Sequence, residues 1–272
     1  MNGVLERTLA ILELLSQHGG GLELAAIADR LDIPRSAVHR LLVDLARCGY
    51  VRQTRDHGDY LLTTKLVSMG LSFLSNTGIV DIAQPLLDRL AEISGELVRL
   101  AVVDGNRLTW VARAQGARQG LRYDPDMGSD ARISCSSSGL AWLSTMADDD
   151  ALALVAQQGV GPVEEFGPNA PKTLQEVMVQ VQATRERGYS LTQETYTPGL
   201  NAMAAPVCLA GQALGTISIA GPSARFTLER MQALGGDLVS LAAQLAAASG
   251  ASPFFNQPRA NAAAGLRKIY AS

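Results

Sequence analysis

Residues 22–62 read LELAAIADRLDIPRSAVHRLLVDLARCGYVRQTRDHGDYLL, and this stretch decides the N-terminal fold. Apolar residues recur at helical spacing before and after a break at Asp32-Ile33-Pro34. Pro34 suits the first turn of the second helix, where its missing N–H would have no partner. After Gly49 two short strands follow, joined by a polar turn at residues 56–59. The stretch predicts a helix-turn-helix followed by a hairpin, a winged helix whose second helix can lie in a DNA major groove.

Positive charge is concentrated on the second helix and the hairpin. Between Arg35 and Arg55 the sequence has five arginines and one acid, Asp44, which gives a local net charge of +4. The first 65 residues as a whole carry seven Arg and one Lys against eight Asp or Glu, so they are not basic overall. A local cluster of this kind is typical of a surface that contacts phosphates. The alternative is a solvated helix face that happens to hold arginines.

The expected DNA contacts fall into two groups, one on the helix and one on the hairpin. They are Arg35, Ser36, His39, Arg40 and Arg47 on the helix, and Arg52, Arg55 and His57 on the hairpin. We expect the helix residues to face base edges or phosphates, and the hairpin residues to reach the backbone or the minor groove. For Arg47 the stronger expectation is a phosphate contact without sequence information.

The run DIPRSAVHRLLVDLARCGYV at residues 32–51 resembles the DNA-binding signature of the isocitrate lyase regulator (IclR) family of bacterial transcription factors. The segment ERTLAIL at residues 6–12 resembles the first helix of that family. The resemblance covers roughly residues 4–248. It implies a homo-oligomeric transcription factor, a dimer or a tetramer, which presents two recognition helices to a pseudo-palindromic double-stranded DNA operator.

Composition excludes several classes of protein. With 272 residues the chain is long enough for two domains, and its net charge of −3 means that any affinity for nucleic acid must be local. The three cysteines and three histidines show no spacing typical of a disulfide framework or a metal site, so we expect no metal and no cofactor. Charged residues lie in the first apolar run, and no apolar run approaches membrane-spanning length. We therefore expect a cytoplasmic protein without a membrane partner.

The rest of the chain predicts an α+β organisation with a mixed or antiparallel sheet. The expected domains are a winged helix-turn-helix at 1–64, a connecting helix at 65–78, a sensor domain at 79–249 and a poorly ordered tail at 250–272. The sensor domain is expected to hold five or six strands, including one around 121–123 and one that Gly221-Pro222 breaks. The connecting helix is apolar on more than one side, so we expect it to pack against a second subunit. The alternative is an ordinary core helix.

Three polar segments of the second domain could converge on a small-molecule site. They are residues 134–139, 192–203 and 218–220. The first lies at a predicted helix start, where free N–H groups can hold a carboxylate without an arginine. The simpler interpretation of its serines is helix capping.

The resemblance gives these segments a role, because IclR-like sensor domains resemble a GAF-type fold and bind small organic acids between a Gly/Ala-rich loop and the last strands. The later motifs GYS at 188, PGL at 198, AAPV at 204 and SIAGP at 218 match the family. The expected ligand contacts are Ser137, Ser138, Gly139, Thr192, Leu200, Ala202, Ser218 and Ala220.

Four positions depart from the family pattern. Thr192 stands where members that bind small acids have an Asp, Ala202 where they often have Cys, Ala220 where they often have Ser, and Leu140 where Lys is common. A less polar pocket selects a less polar ligand, because a buried polar group needs a partner. We therefore expect an organic acid with an apolar or aromatic body as the effector.

Two other function classes remain as alternatives. A hydrolase could use Cys135 or a nearby serine as its nucleophile. Against it, the chain has no Gly-x-Ser-x-Gly motif, and its histidines (18, 39 and 57) all precede the sensor domain. A DNA-binding protein without a ligand is the second alternative, which the size of the sensor domain disfavours.

Overall fold

The computed structural model describes residues 3–54, 58–125, 127–161 and 165–249. Contacts within the chain divide it into two compact units between residues 76 and 77. Arg55 and His57 of the hairpin and the predicted tail at 250–272 lie outside the described residues.

The first unit is a winged helix-turn-helix. Its elements are α1 (Val4–Ser16), α2 (Leu24–Leu31), α3 (Arg35–Arg47), β1 (Val51–Gln53), β2 (Tyr60–Leu62) and α4 (Lys65–Thr77), of which α4 runs one residue past the boundary. Ile11, Ile27, Val38 and Leu42 are fully buried and form the centre of its core. Pro34 is the residue before α3 and not part of its first turn, a small correction to the prediction.

The second unit is built on a five-stranded sheet. Its elements are α5 (Ile79–Ser94), β3 (Leu97–Asp104), β4 (Arg107–Gln115), α6 (Ser137–Leu143), α7 (Asp148–Gln158), α8 (Leu174–Arg187), β5 (Ser190–Gln193), β6 (Leu200–Leu209), β7 (Gln212–Pro222) and α9 (Leu228–Ser249). The strand order is β4-β3-β7-β6-β5, and every neighbouring pair is antiparallel. The predicted α+β class is confirmed, and the sheet is antiparallel rather than mixed.

Helices cover both faces of this sheet, so strand β3 is buried on both sides. Val98, Leu100 and Val102 point into the cluster formed with α5 and α9. Ala101 and Val103 belong to the cluster on the other face, with residues of α6, α7 and α8. Because side chains alternate between the faces of a strand, Arg99 lies on the same face as Ala101. This alternation directs an arginine toward α6.

The predicted strand around 121–123 is wrong. The outer edge of β4 is instead paired by residues 128–131: the Trp110 N–H donates to the Ser129 carbonyl at 3.3 Å, and the Ala131 N–H donates to the Leu108 carbonyl at 2.7 Å. Those bonds occupy the edge of β4, so residues 121–123 lie in an irregular segment. The predicted break at Gly221-Pro222 is also wrong, because β7 continues to Pro222, where it pairs with Leu200.

Within the described residues, no single helix is long and apolar enough to cross a membrane. Only the consecutive segments 65–77 and 80–94, taken together across a break, match such a span in length and composition.

Candidate functional site

The polar side of α3 is exposed to solvent. Burial of Val38, Leu41, Leu42 and Leu45 fixes which side of the helix faces the core. The exposed residues on the other side include all five that were predicted on this helix: Arg35, Ser36, His39, Arg40 and Arg47. Arg52 is likewise exposed on β1, opposite Leu61 of β2. The fold therefore brings four described arginines onto α3 and the hairpin.

These arginines differ in whether a carboxylate already pairs with them. Arg35 lies 3.8 Å from Asp29, and Arg47 lies 3.1 Å from Asp44 within its own helix. Among the described residues, neither Arg40 nor Arg52 forms an ion pair. Arg40 is therefore a free cation on the exposed side of the helix, available to an external phosphate or base edge.

The second unit contains a pocket between α6, the sheet and the irregular segment 116–125. The space between its wall atoms is about 340 Å³ when the solvent at its mouth is counted, and the enclosed part is much smaller. The lining residues are Arg99, Trp110, Tyr123, Ser136, Ser137, Thr192, Tyr196, Thr197, Leu200, Ala202 and Ala220. Three aromatic rings, several hydroxyl groups and a single arginine thus surround the cavity.

Five of the eight predicted ligand contacts line this pocket, namely Ser137, Thr192, Leu200, Ala202 and Ala220. Ser138, Gly139 and Ser218 do not. Gly139 packs directly on the backbone of Ile133, and its N–H donates to the Ser136 hydroxyl oxygen at 3.0 Å. Ser218 is buried in β7 directly opposite Arg99. The serine-rich start of α6 therefore serves capping and packing as well as lining the pocket.

Arg99, Trp110 and Tyr123 line the pocket but lie outside the three segments that the sequence singled out, and Arg99 is the charged one among them. Its side chain lies over the Trp110 ring, with the guanidinium carbon 3.9 Å from the ring centroid and 5.7 Å from that of Tyr123. The residue is only 6% exposed, and its Nε has no hydrogen-bond acceptor. Burial lowers the pKa of Arg99, and the neighbouring tyrosines Tyr123 and Tyr196 oppose that shift. A signal was available, since an arginine interrupts the otherwise apolar run LVRLAVV.

Tyr123 is held over the pocket by side chains of the sheet and of the β7–α9 connection. Gln115 donates from Nε2 to the Tyr123 carbonyl at 3.0 Å, and Arg225 donates from Nη1 to the Leu121 carbonyl at 2.7 Å. Arg225 also forms a two-point ion pair with buried Glu96, at 2.6 and 2.8 Å. This pair raises the pKa of Arg225 through its hydrogen bonds to Glu96. One arginine thereby fixes both a buried carboxylate and the segment that carries Tyr123.

The cysteine proposed as an alternative nucleophile is poorly suited to that role. Cys135 is 1% exposed, and burial raises the pKa of its thiol to about 11. At neutral pH the reactive thiolate is therefore a very minor form. The neighbouring Ser136 hydroxyl accepts a hydrogen bond as the cap of α6. No group of three or more His, Cys, Asp or Glu side chains that could hold a metal ion occurs in the described part of the chain.

Family comparisons match both units. The IclR helix-turn-helix domain matches residues 4–55, and the bacterial transcriptional regulator IclR C-terminal domain matches residues 71–247. The HTH-type transcriptional regulator BhcR of Paracoccus denitrificans is 31% identical over 242 residues, which are 89% of this chain and 85% of BhcR. The HTH-type transcriptional repressor AllR of Escherichia coli is 28% identical over 232 residues, covering 85% of this chain and 84% of AllR.

Solved structures share the fold. An IclR transcriptional regulator from Alicyclobacillus acidocaldarius superposes with a TM-score of 0.78 at 21% identity, covering 91% of this chain and 98% of that one. An IclR homolog from Microbacterium hydrocarbonoxydans, crystallised with 4-hydroxybenzoate, gives a TM-score of 0.75 at 18% identity, with 92% and 100% of the two chains covered. Together with the family matches over both units, these observations establish that the chain belongs to the IclR family of transcriptional regulators.

Proposed function

We propose that this IclR-type regulator binds operator DNA through α3 and the hairpin, and that a small organic acid with an apolar or aromatic body modulates this binding. The observation that carries the effector proposal is the pocket in the second unit, which opens to solvent and is surrounded by aromatic rings and by an arginine that has no ion-pair partner among the described residues. A mostly apolar cavity with a few convergent polar groups is the usual form of a small-molecule site.

Three positions of the pocket wall support an effector with an apolar body. Ala202 and Ala220 bring no polar side chain to it, and the Thr192 hydroxyl already donates to the Ala202 carbonyl at 3.0 Å. An acid with further polar groups would leave some of them without partners, which is costly in a buried site. The homolog crystallised with 4-hydroxybenzoate binds an acid of this kind.

In this proposal residues 1–64 form the DNA-binding domain, 65–78 the connecting and dimerisation helix, and 79–249 the effector-binding domain. The apolar side chains of α1 and α4 favour a second copy of the chain as their partner. Val4, Leu5, Val67, Leu71 and Phe73 are all more than half exposed, and Thr77 is the only buried residue of α4. An ordinary core helix would not leave so many apolar side chains exposed.

The effector would act by changing the population of dimers that fit the operator. A ligand shifts such an equilibrium only as far as its affinities for the two states differ. Couplings between sites typically correspond to about 5- to 150-fold in affinity.

A panel of acids tests the effector class. We expect an aromatic acid such as benzoate, phenylacetate or 4-hydroxybenzoate to change the Kd for a promoter fragment of the protein's own locus by about five-fold or more. The measurement is fluorescence anisotropy at fixed salt, with glyoxylate and pyruvate as matched small acids. An effect of glyoxylate or pyruvate alone would contradict the proposed class.

Replacing Arg40 by Ala tests the DNA-binding surface. Because Arg40 is exposed on α3 and forms no ion pair with the described residues, its loss should weaken operator binding by more than about ten-fold, as expected for a base or phosphate contact of about 1–3 kcal/mol. Arg47→Ala is the matched control, since Arg47 is already paired with Asp44 and should lose less. Both are measured by anisotropy at the same salt concentration, and an unchanged Kd for Arg40→Ala would refute this placement.

A further inference from the structure

Arg99 is a buried cation that has no anionic partner among the residues that the structure describes. Among the described residues that line the pocket, it is the one that carries a formal charge. None of the ion pairs found among the described residues includes it. Tyr123 and Tyr196 lie beside it, and neither side chain is a carboxylate. A buried charge without a partner is strongly unfavourable, so a position like this one calls for an anion from outside the chain.

The packing around Arg99 determines which of its donors remain available. The Trp110 ring covers the guanidinium group at 3.9 Å, and such stacking leaves the in-plane N–H donors to hydrogen bonds, one of which involves Tyr123. One of those donors, Nε, has no acceptor in the structure. A planar carboxylate accepts two N–H donors of this fork side by side. The geometry therefore fits a carboxylate that approaches the edge of the guanidinium group.

The hydroxyl groups of the pocket are less suited to hold the charge. They are neutral donors: the Ser136 hydroxyl accepts from the Gly139 N–H and keeps one O–H to donate, whereas the Thr192 hydroxyl already donates its proton to the Ala202 carbonyl. Tyr196 contributes mainly a ring, which meets Trp110 edge to face at a centroid distance of 6.1 Å. Burial raises the pKa of Tyr196, so its phenol stays protonated and can donate one hydrogen bond. These groups suit the neutral body of a ligand better than its anionic end.

We propose that Arg99 is the specificity-determining anchor of the pocket, which binds the carboxylate of the effector and restricts it to monocarboxylic acids with a flat apolar body. This inference rests on the proposed effector function and places the charge at β3 rather than at the serine-rich start of α6. The single cation balances one carboxylate. The rings of Trp110, Tyr123 and Tyr196 then provide an apolar surface for the rest of the ligand.

Calorimetric titration of the full-length protein with benzoate tests the anchor. We expect Arg99→Gln to weaken benzoate binding by about thirty-fold or more, as for loss of a buried charge-assisted pair. Arg89→Gln, which removes an exposed arginine of α5, should bind like the wild type. The neutral isostere benzamide should bind weakly and equally to all three proteins. Benzoate binding that is equal in the wild type and Arg99→Gln would overturn the proposal, and so would a wild type that does not bind benzoate.

Thermal stability without ligand provides an independent test. Because the unpaired charge opposes folding, Arg99→Met should raise the Tm of the ligand-free protein by about 3 °C while abolishing benzoate binding. A purely structural arginine that stacks on Trp110 would give the opposite result, a lower Tm, and that result would overturn the proposal.

Failure of this inference can be distinguished from failure of the proposed function. If aromatic acids still alter operator binding to the same extent in Arg99→Gln, the anchor is wrong and the effector function stands. If no acid in the panel alters operator binding by the wild type, the effector function fails as well.

Discussion

Replacing Arg225 by Met is expected to lower the free energy of unfolding of the second unit by about 3 kcal/mol. Glu96 is 1% exposed, and both of its carboxylate oxygens accept hydrogen bonds from Arg225. Removing the arginine leaves a buried carboxylate without its partner, which costs much more than losing a surface ion pair. The same change releases the Leu121 carbonyl and loosens the segment that carries Tyr123. Urea denaturation followed by circular dichroism measures the loss.

The double variant Glu96→Gln/Arg225→Met is the control for this interpretation. It removes both charges, so it should be more stable than Arg225→Met alone, because no charge is left unpaired in the core. If the double variant is no more stable than the single one, the large effect of Arg225→Met does not come from the orphaned carboxylate. Arg113→Met is a second control, because its pair with Asp124 is exposed on both sides and should contribute little.

Replacing Gly139 by Ala is expected to lower the free energy of unfolding by about 3 kcal/mol. A Cβ at this position would lie 2.3 Å from the Ile133 Cα and 2.5 Å from the Ile133 carbonyl oxygen. Both are backbone atoms, so no side chain can rotate away, and α6 must move off the segment before it. Because Ser136 and Ser137 of that region line the pocket, ligand binding should weaken together with stability. Thermal unfolding measures the first effect, and benzoate titration measures the second.

Gly236→Ala is the matched control for Gly139→Ala. Gly236 also lies in a helix, α9, but a Cβ there would meet no atom within 4 Å. Alanine has the higher helix propensity, so this variant should be more stable by about 0.5–1 kcal/mol. A similar loss of stability in both variants would show that close packing of α6 on Ile133 is not the cause.

The winged helix could be predicted from the sequence because local patterns determine it. Val38, Leu42 and Leu45 recur at helical spacing. This spacing predicts which side of α3 is buried and which side exposes Arg40. The break before α3 and the change of period after Gly49 fix where the elements end. The buried side and the exposed side of α3 can therefore be predicted from the sequence of that helix alone.

Only some of the residues that line the pocket could be predicted from the sequence. Leu200 was predicted from a motif that matches a known family, and Thr192 and Ala202 were predicted from positions where this chain departs from that family's pattern; all three lie in the pocket wall. Ser138 and Gly139 directly follow Ser137, which lines the pocket, but they face the protein interior. Neighbouring residues on a short helix point in different directions, and only the packing of that helix decides which of them reach the cavity.

The sequence by itself determined the two-part organisation, the helix-turn-helix with its exposed arginines, and the α+β class of the second unit, since each depends on periodicity over a few consecutive residues. The tertiary structure alone decided that Arg99 enters the pocket and that residues 128–131, not 121–123, pair with the edge of β4. A strand buried on both faces has no polar side to mark its orientation. Which of its alternate residues face α6 depends on helices that are distant in the chain, and no local pattern encodes that choice.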